Sequence, residues 1–281
     1  TGFNKHIKNL CLRALDTCKA KGASYADIRF IERRSQKVQL KEGKPDLLEH
    51  QNRGFGIRVI ADGAWGFAAS SSVEAAEIDR VAALAVGIAS ASAMLAKNRA
   101  FIGEPVKITA SYKTPIKIDP FSIAIERKFG LVSKACLEMQ RVKGITTAMA
   151  TVGAQHENKV FASTEGSYIE QETVRTSCQI NAQAAGEGEV QDRSYPDSMG
   201  CSANEGWEFV ERQDLVSNAP GIAEEAAALL KAKSCPAGIK TIILDGGQLA
   251  LQLHESCGHA IELDRVLGTE ASYAGTSFLT T

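Results

Sequence analysis

The 281-residue sequence lacks the features of membrane, secreted and disulfide-rich proteins. No apolar run approaches the roughly 20 residues that a membrane-spanning helix needs, and the N-terminus lacks the charged, apolar and small-residue order of a signal peptide. The seven cysteines are odd in number, are dispersed and include no C-x-x-C pair, so no disulfide framework is expected. These absences predict a soluble cytoplasmic protein with reduced thiols and no membrane partner.

An excess of charge of either sign is also missing, because 32 basic residues stand against 33 acidic ones and the formal net charge is -1. A protein that binds a polyanion needs a basic face, which clustered Lys and Arg would reveal. The nearest approach lies between Glu32 and Lys44, where basic and acidic residues alternate with apolar ones. We therefore expect no nucleic-acid partner. A hydrophobic content of 44% predicts a globular chain with one large core or two smaller ones.

The first 143 residues mix helices with short strands. Apolar residues at helical spacing from Phe3 to Cys18 predict an amphipathic helix that ends near Gly22. Short runs rich in β-branched and aromatic residues predict four strands, with a hairpin turn at residues 61–63. The elements predicted after the first helix are strands at 25–32, 36–41, 54–61 and 64–70 and helices at 73–97 and 121–139.

Longer strands are predicted beyond residue 144. Residues 146–155 and 159–163 flank a short polar turn, and from Thr173 to Gln183 apolar residues alternate with polar ones. Such alternation is typical of a strand with one wet face, which favours an antiparallel sheet over a buried parallel one. The chain is therefore expected to have an α+β fold, with a largely antiparallel sheet and covering helices.

One more helix is predicted from Ala219 to Lys233, with Asn218 as its N-cap and Pro220 at its first position. The predicted domain organisation is an N-terminal α+β domain at 1–235, open to division into subregions at about 1–143 and 144–235, and a strand-helix segment at 236–281.

The most informative motif is the run from His254 through Glu255 to His259, within that last segment. Two imidazoles that bracket a carboxylate are typical of a hydrolytic zinc centre. The usual signature has an i, i+4 spacing, whereas these histidines stand at i and i+5, roughly 140° apart on a regular helix. A shared metal site therefore requires a distorted turn, such as a π-bulge, which Gly258 is well suited to allow. The alternative is a chance pair of unrelated histidines.

The residues before the motif support a rigid platform for it. Residues 239–244 form a short apolar, β-branched run that predicts a buried strand. Asp245-Gly246-Gly247 then breaks this run before an apolar stretch, residues 249–253, enters the motif. The expected arrangement is strand, turn and ligand-bearing helix.

The run from Leu253 to Gly268, followed by Tyr273 to Phe278, resembles the TldD/PmbA family of metallopeptidases, and specifically its TldD-type catalytic branch. The family was formerly labelled a modulator of DNA gyrase. Weaker likenesses at residues 62–68, 112–121 and 161–167 follow in the expected order. The resemblance implies a longer protein that continues into a mainly β C-terminal domain, most of which is absent from this chain.

The resemblance implies one zinc ion, bound by His254 and His259 and by a cysteine beyond residue 281. Zinc acidifies water and polarises a scissile carbonyl, while a nearby carboxylate moves the proton to the leaving amine. Glu255 is the candidate for this general base. The alternative is a solvated glutamate early in a helix, where the helix dipole favours it.

Other residues near the motif have open roles. Glu262, three residues after His259, is expected either to orient that ligand or to lie on the helix surface, with direct coordination as the alternative. Cys257 is expected to be a small apolar filler rather than a ligand. A loop that follows the motif either lines the substrate cleft or connects to the next domain, and its candidate residues are Tyr273, Gly275, Thr276 and Ser277.

The favoured function is a zinc-dependent metallopeptidase that cleaves short or unfolded peptides. The resemblance implies a homodimer, or a heterodimer with a related family member, and an extended peptide could bind by adding a strand to a sheet edge. The alternatives are a non-catalytic assembly partner in such a dimer and an inactive fragment that lacks the third zinc ligand.

Overall fold

One sheet and its covering helices form the bulk of the protein. The computed structural model describes residues 2–96, 99–100, 102–186, 188–198, 200–272 and 275–280, with side chains from residue 6 onward. The elements in chain order are α1 (Gly2–Ala20), β1 (Tyr25–Lys41), β2 (Lys44–Ala61), β3 (Ala64–Ser70), α2 (Ala75–Ala93), β4 (Thr109–Lys113), α3 (Ile125–Gln140), β5 (Ile145–Ser163), β6 (Tyr168–Gly186), β7 (Glu189–Tyr195), β8 (Cys201–Ala203), α4 (Trp207–Gln213), α5 (Leu215–Leu229), α6 (Gly246–Leu253), a π-helical turn (His254–Gly258) and α7 (Leu263–Val266).

The sheet has eight strands in the described part of the chain. Six follow the order β3-β2-β1-β5-β6-β4, and β7 and β8 also pair with β6. Every pairing is antiparallel except that of β4 with β6. The predicted fold class, a largely antiparallel sheet with covering helices, is confirmed.

Helices α1 to α5 lie on one face of this sheet and enclose two cores. In β1 the side chains of Ile28, Phe30 and Val38 alternate onto the same face, because successive strand residues point to opposite sides. Ile28 and Phe30 belong to a first core under α1 and α2, whereas Val38 belongs to a second core under α3 and α5. Among the described helices, none combines the length and the apolar character needed to cross a membrane.

The predicted strand breaks were wrong, because β1 and β5 each run without interruption. Polar residues at 33–35 and 156–158 suggested turns, yet they lie opposite one another across the two antiparallel strands. The Arg33 guanidinium pairs with the Glu157 carboxylate at 2.5 Å. Cross-strand partners of opposite charge stabilise such positions, so polarity did not mark a turn.

The β1–β2 hairpin is tighter than predicted, and the second strand starts at Lys44 rather than at residue 54. Glu42 and Gly43 both have positive φ, 52° and 73°, which is the backbone of a two-residue hairpin turn. Pro45 looked like a turn residue but lies in the exposed half of β2, where that strand is a sheet edge and needs no N–H donor. The hairpin predicted at 61–63 is confirmed, with Asp62 and Gly63 at its turn.

The helix boundaries also differ from the prediction. The first and third helices lie close to their expected ranges, and α2 ends at Ala93, while Lys97, the predicted end, lies outside the described residues. Helix α5 begins at Leu215 instead of Ala219, because the Asp214 side chain accepts a hydrogen bond from the Ser217 N–H and caps it. Pro220 therefore lies inside the helix and Asn218 is not its cap. Helix α4 was not predicted.

The buried strand predicted at residues 239–244 is absent, and this prediction was wrong. The described segment from 239 to 243 has no regular structure, and Ile239 and Ile243 are almost fully exposed. A strand needs a neighbour for its backbone donors and acceptors, and none of the described strands pairs with this run. Apolar, β-branched composition alone was therefore not enough to form a strand at residues 239–244.

Candidate metal centre

Helix α6 leads directly into the motif, and two contacts define the start of this helix. The Asp245 carboxylate accepts the Gln248 N–H at 2.8 Å and caps the helix. Gly247 approaches the loop between β7 and β8 so closely that an added Cβ would lie 2.6 Å from the Asp197 carboxylate. A side chain at residue 247 would therefore require the Asp197 carboxylate to move, and this approach links the motif segment to the sheet.

The predicted distortion of the motif helix is present as a π-helical turn from His254 to Gly258. The His259 N–H donates to the His254 carbonyl at 3.1 Å, which is an i to i+5 hydrogen bond. This widened turn places both imidazoles on one side, with ring centroids 4.6 Å apart and planes at 80°. The π-helical turn depends less on a glycine at residue 258 than predicted. A Cβ there would meet only the Leu253 carbonyl, at the ordinary contact distance of 3.6 Å.

Glu255 lies between the two imidazoles. One of its carboxylate oxygens is 3.9 Å from His254 Nε2, and the other is 3.9 Å from His259 Nε2. One ligand atom from each of the three residues can be chosen so that all lie within 4.8 Å of one another. Two neutral imidazole nitrogens and a carboxylate form a donor set that suits zinc, so the residues present fit such an ion.

Glu262 contacts the back of this group. His259 Nδ1 lies 2.8 Å from Glu262 Oε1, and the other carboxylate oxygen accepts a hydrogen bond from Arg265 Nε. The hydrogen bond with His259, followed by that with Arg265, lowers the pKa of Glu262 below its usual value. An ionised carboxylate only accepts, so this contact favours the His259 tautomer with its hydrogen on Nδ1, in which Nε2 is the nitrogen that can bind a metal.

Two residues considered as further ligands lie outside the group. Both Glu262 oxygens are already engaged, and Cys257 is exposed on the π-helical turn rather than buried as a filler. Within the part of the chain that the structure describes, neither belongs to the cluster formed by His254, Glu255 and His259.

The loop after the motif folds back onto it. Ser277 Oγ donates to the Ala260 carbonyl at 2.7 Å, and the Ser277 N–H donates to the Arg265 carbonyl at 3.1 Å. The Gly275 carbonyl accepts from Arg265 at 2.9 Å, while Thr276 is exposed. Tyr273, the fourth residue predicted for this loop, lies outside the described residues.

Arg265 is the residue that sequence reasoning missed. Its position three residues after Glu262 was a signal for an ion pair on a helix. Nothing in the spacing indicated that the same side chain would reach carbonyls seven and ten residues later, at Ser272 and Gly275.

Comparisons with known proteins agree with this fold. Residues 26–89 match a family model described as PmbA/TldA metallopeptidase domain 1, and residues 118–233 match its central domain. A metalloprotease of Methanocaldococcus jannaschii is 30% identical over 256 residues, which cover 89% of this chain and 54% of that protein. A metalloprotease TldD homolog of Haemophilus influenzae is 25% identical over 267 residues, or 90% of this chain and 52% of that one.

Solved structures show the same fold at lower identity. A crystal structure of a Thermotoga maritima protein titled as a putative modulator of a DNA gyrase aligns with a TM-score of 0.61 and 17% identity, over 83% of this chain and 50% of that one. TldE from Thermococcus kodakarensis aligns with a TM-score of 0.56 and 15% identity, over 80% and 47%. The chain spans about half the length of the curated relatives it matches. The two family models together match more than half of the chain, which belongs to the TldD/PmbA family of metallopeptidases.

Proposed function

We propose that this chain is part of a zinc-dependent metallopeptidase that hydrolyses short or unfolded peptides. The observation that carries the proposal is the convergence of His254, Glu255 and His259 on one side of a π-helical turn. A regular helix would separate the two imidazoles, and the π-helical turn brings them together. The relatives that align with most of the chain are also named as metalloproteases.

His254 and His259 would hold the ion through Nε2. A bound zinc ion would supply Lewis acidity, which acidifies a water molecule and polarises a peptide carbonyl. Glu262 fixes the orientation of His259 through its Nδ1, as outer residues do in many metal sites. The third protein ligand in this proposal is a cysteine beyond residue 281.

Glu255 is the proposed general base. Its carboxylate lies equally far, 3.9 Å, from both ligand nitrogens, and it is exposed enough to meet a substrate. In this role it accepts a proton from the attacking water and donates it to the leaving amine nitrogen. Direct coordination by Glu255 is the competing role, and a glutamine at this position separates the two.

The proposed substrate is an extended peptide, and the proposed assembly is a dimer with a second copy or a related family member. Residues 44–54 of β2 extend beyond its pairing with β3 and leave a sheet edge to which a peptide strand could add. The motif segment exposes apolar side chains, including Ile242 and Ile261, that suit an interface. The proposed location is the cytoplasm, where the seven free thiols would stay reduced.

A second candidate function is that of a non-catalytic assembly partner, or of a fragment that is inactive by itself. It is favoured by one observation: among the described residues, the group around His254 contains two imidazoles and a carboxylate but no third imidazole or thiolate.

The test measures bound zinc and peptide hydrolysis in the 281-residue chain and in a longer chain that includes the region found in its relatives. Glu255→Gln should keep the metal and lose hydrolysis, whereas His259→Ala should lose both. His50→Ala, which changes an exposed histidine of β2, is the matched control and should change neither. Chelation should abolish any activity. Undiminished turnover by Glu255→Gln would refute the assigned base, and a longer chain that binds no zinc would favour the assembly partner.

A further inference from the structure

The hydrogen bond between His259 and Glu262 is part of a longer chain of contacts that includes Arg265. The second carboxylate oxygen of Glu262 accepts a hydrogen bond from Nε of Arg265, three residues later. Nη1 of the same arginine donates to the Ser272 carbonyl at 2.9 Å and to the Gly275 carbonyl at 2.9 Å. One guanidinium therefore joins the glutamate behind a proposed metal ligand to the loop that returns over the motif.

The burial of Arg265 sets it apart from the other arginines that pair with a glutamate at this spacing. Its side chain is 12% exposed, although most residues of the described motif segment are exposed to solvent. The Arg141 side chain pairs with Glu138 at the same spacing in α3 and is 73% exposed. An exposed pair of this kind contributes little, whereas a guanidinium withdrawn from water needs each of its acceptors.

The chemistry of the site requires an arginine rather than any cation. Three acceptors surround the side chain, namely one carboxylate oxygen and two backbone carbonyls. A planar guanidinium can donate to all three in fixed directions, and it keeps its charge at any pH that a protein experiences. A lysine ammonium is a point charge and cannot reproduce this geometry.

We propose that Arg265 is a positioning residue of the metal centre. It holds Glu262 in the orientation that accepts the Nδ1 hydrogen of His259, and it thereby keeps the Nε2 lone pair directed to the metal side. The same guanidinium ties the return loop, residues 271–272 and 275–280, to the motif. This inference rests on the proposed function for its biological meaning, but the tautomer of His259 can be measured without a metal.

The experiment uses the 281-residue chain free of metal, labelled with ¹⁵N at histidine, at a pH above the ordinary imidazole pKa of about 6.5. Imidazole nitrogen shifts report which ring nitrogen carries the hydrogen, and a free neutral imidazole in water prefers the Nε2–H form. Wild-type His259 should show the Nδ1–H form. Arg265→Met and Glu262→Gln should both move it toward the Nε2–H form, while the matched control Arg141→Met should leave it unchanged.

Zinc affinity is measured in the same four proteins, and in the double variant that combines Arg265→Met with Glu262→Gln, by competition with a chelator. Arg265→Met should weaken binding by about tenfold, the lower end of what the loss of an outer hydrogen-bond partner costs a metal site. Glu262→Gln should weaken it similarly, and the double variant should lose little more than either single one, because both act on one contact chain. Arg141→Met should bind like the wild type.

The two readouts separate the inference from the proposed function. An unchanged His259 tautomer in Arg265→Met would overturn the positioning role, whatever the zinc affinity. A tautomer that shifts as expected in a longer chain that binds no zinc would support the positioning role and refute the proposed metal centre. Equal zinc affinity of Arg265→Met and wild type, with binding weakened in Glu262→Gln, would also overturn the inference.

Discussion

The sheet body, which comprises the described residues from 2 to 235, and the motif segment, residues 236–272 and 275–280, maintain their structures by different means. The body buries side chains in two cores against long antiparallel strands. In the described motif segment only Ala260 is buried, and the arrangement of His254, Glu255 and His259 comes from hydrogen bonds between residues close in sequence. The geometry of the motif therefore depends on contacts that are local in sequence, whereas the sheet body depends on contacts between strands that are distant in sequence.

The largest expected effect comes from the core of the body. Ile57 is fully buried in the first core, and Ile57→Ala should lower the free energy of unfolding by about 2–5 kcal/mol, because it removes buried surface and leaves a cavity. Ile242→Ala removes a similar side chain from the exposed part of the motif segment and should change stability by less than about 0.5 kcal/mol. Urea denaturation measures both, and similar costs would contradict the contrast between the regions.

A smaller effect is expected from a carboxylate that joins two parts of the body. Glu208, in the first turn of α4, accepts backbone N–H groups of Lys117, Ile118 and Gly206 at 3.0 to 3.1 Å. Burial alone would raise the pKa of Glu208, but these backbone hydrogen bonds outweigh it and the pKa lies below its usual value. Glu208→Gln should cost about 1–3 kcal/mol at neutral pH, since hydrogen bonds to a charged group are lost.

The pH dependence of that cost has a definite sign. A carboxyl group whose pKa is lower in the folded state contributes stability above its ordinary pKa of about 4.3 and loses it as pH falls through the folded-state value. The difference between wild type and Glu208→Gln should therefore shrink in acid. Denaturation curves at several pH values measure it, with Glu224→Gln, an exposed glutamate of α5, as control. A difference that grows below pH of about 4 would contradict the assignment.

The smallest effect on global stability is expected from Gly247→Ala, which places a Cβ 2.6 Å from the Asp197 carboxylate and should open the contact between α6 and the β7–β8 loop. The free energy of unfolding of the body should change by less than about 0.5 kcal/mol, because the segment adds almost nothing to either core. Amide hydrogen exchange in α6 and the π-helical turn should rise. Gly258→Ala, which meets no close neighbour, is the control and should leave the exchange unchanged.

Local patterns predicted the parts of the fold that depend on local geometry. The i, i+5 spacing of the motif histidines implied a widened turn, and the alternation from Thr173 to Gln183 implied an antiparallel strand, both of which the structure contains. The roles of His254, Glu255 and His259 stay predictions, as does the division of the chain at residue 235.

The parts that could not be predicted depend on partners distant in sequence. Arg33 and Glu157 have the polar character of turn residues. Their pairing becomes apparent only in the folded sheet, because they are 124 residues apart along the chain. Residues 239–244 had the composition of a strand but no neighbouring strand. The spacing of Arg265 and Glu262 indicated an ion pair. The contacts of Arg265 with the return loop depend on how the chain bends after the motif, which residue spacing does not reveal.

The central pairing of β1 with β5 also governs how the chain reaches its native state. Asp27 lies opposite Ser163, so the middle of the sheet cannot form until more than a hundred intervening residues have been synthesised and their ends brought together. Such non-local pairing slows folding, and during that delay β1 has only its hairpin partner β2 beside it. The β1–β2 hairpin therefore has an exposed, unpaired edge along β1 until β5 pairs with it.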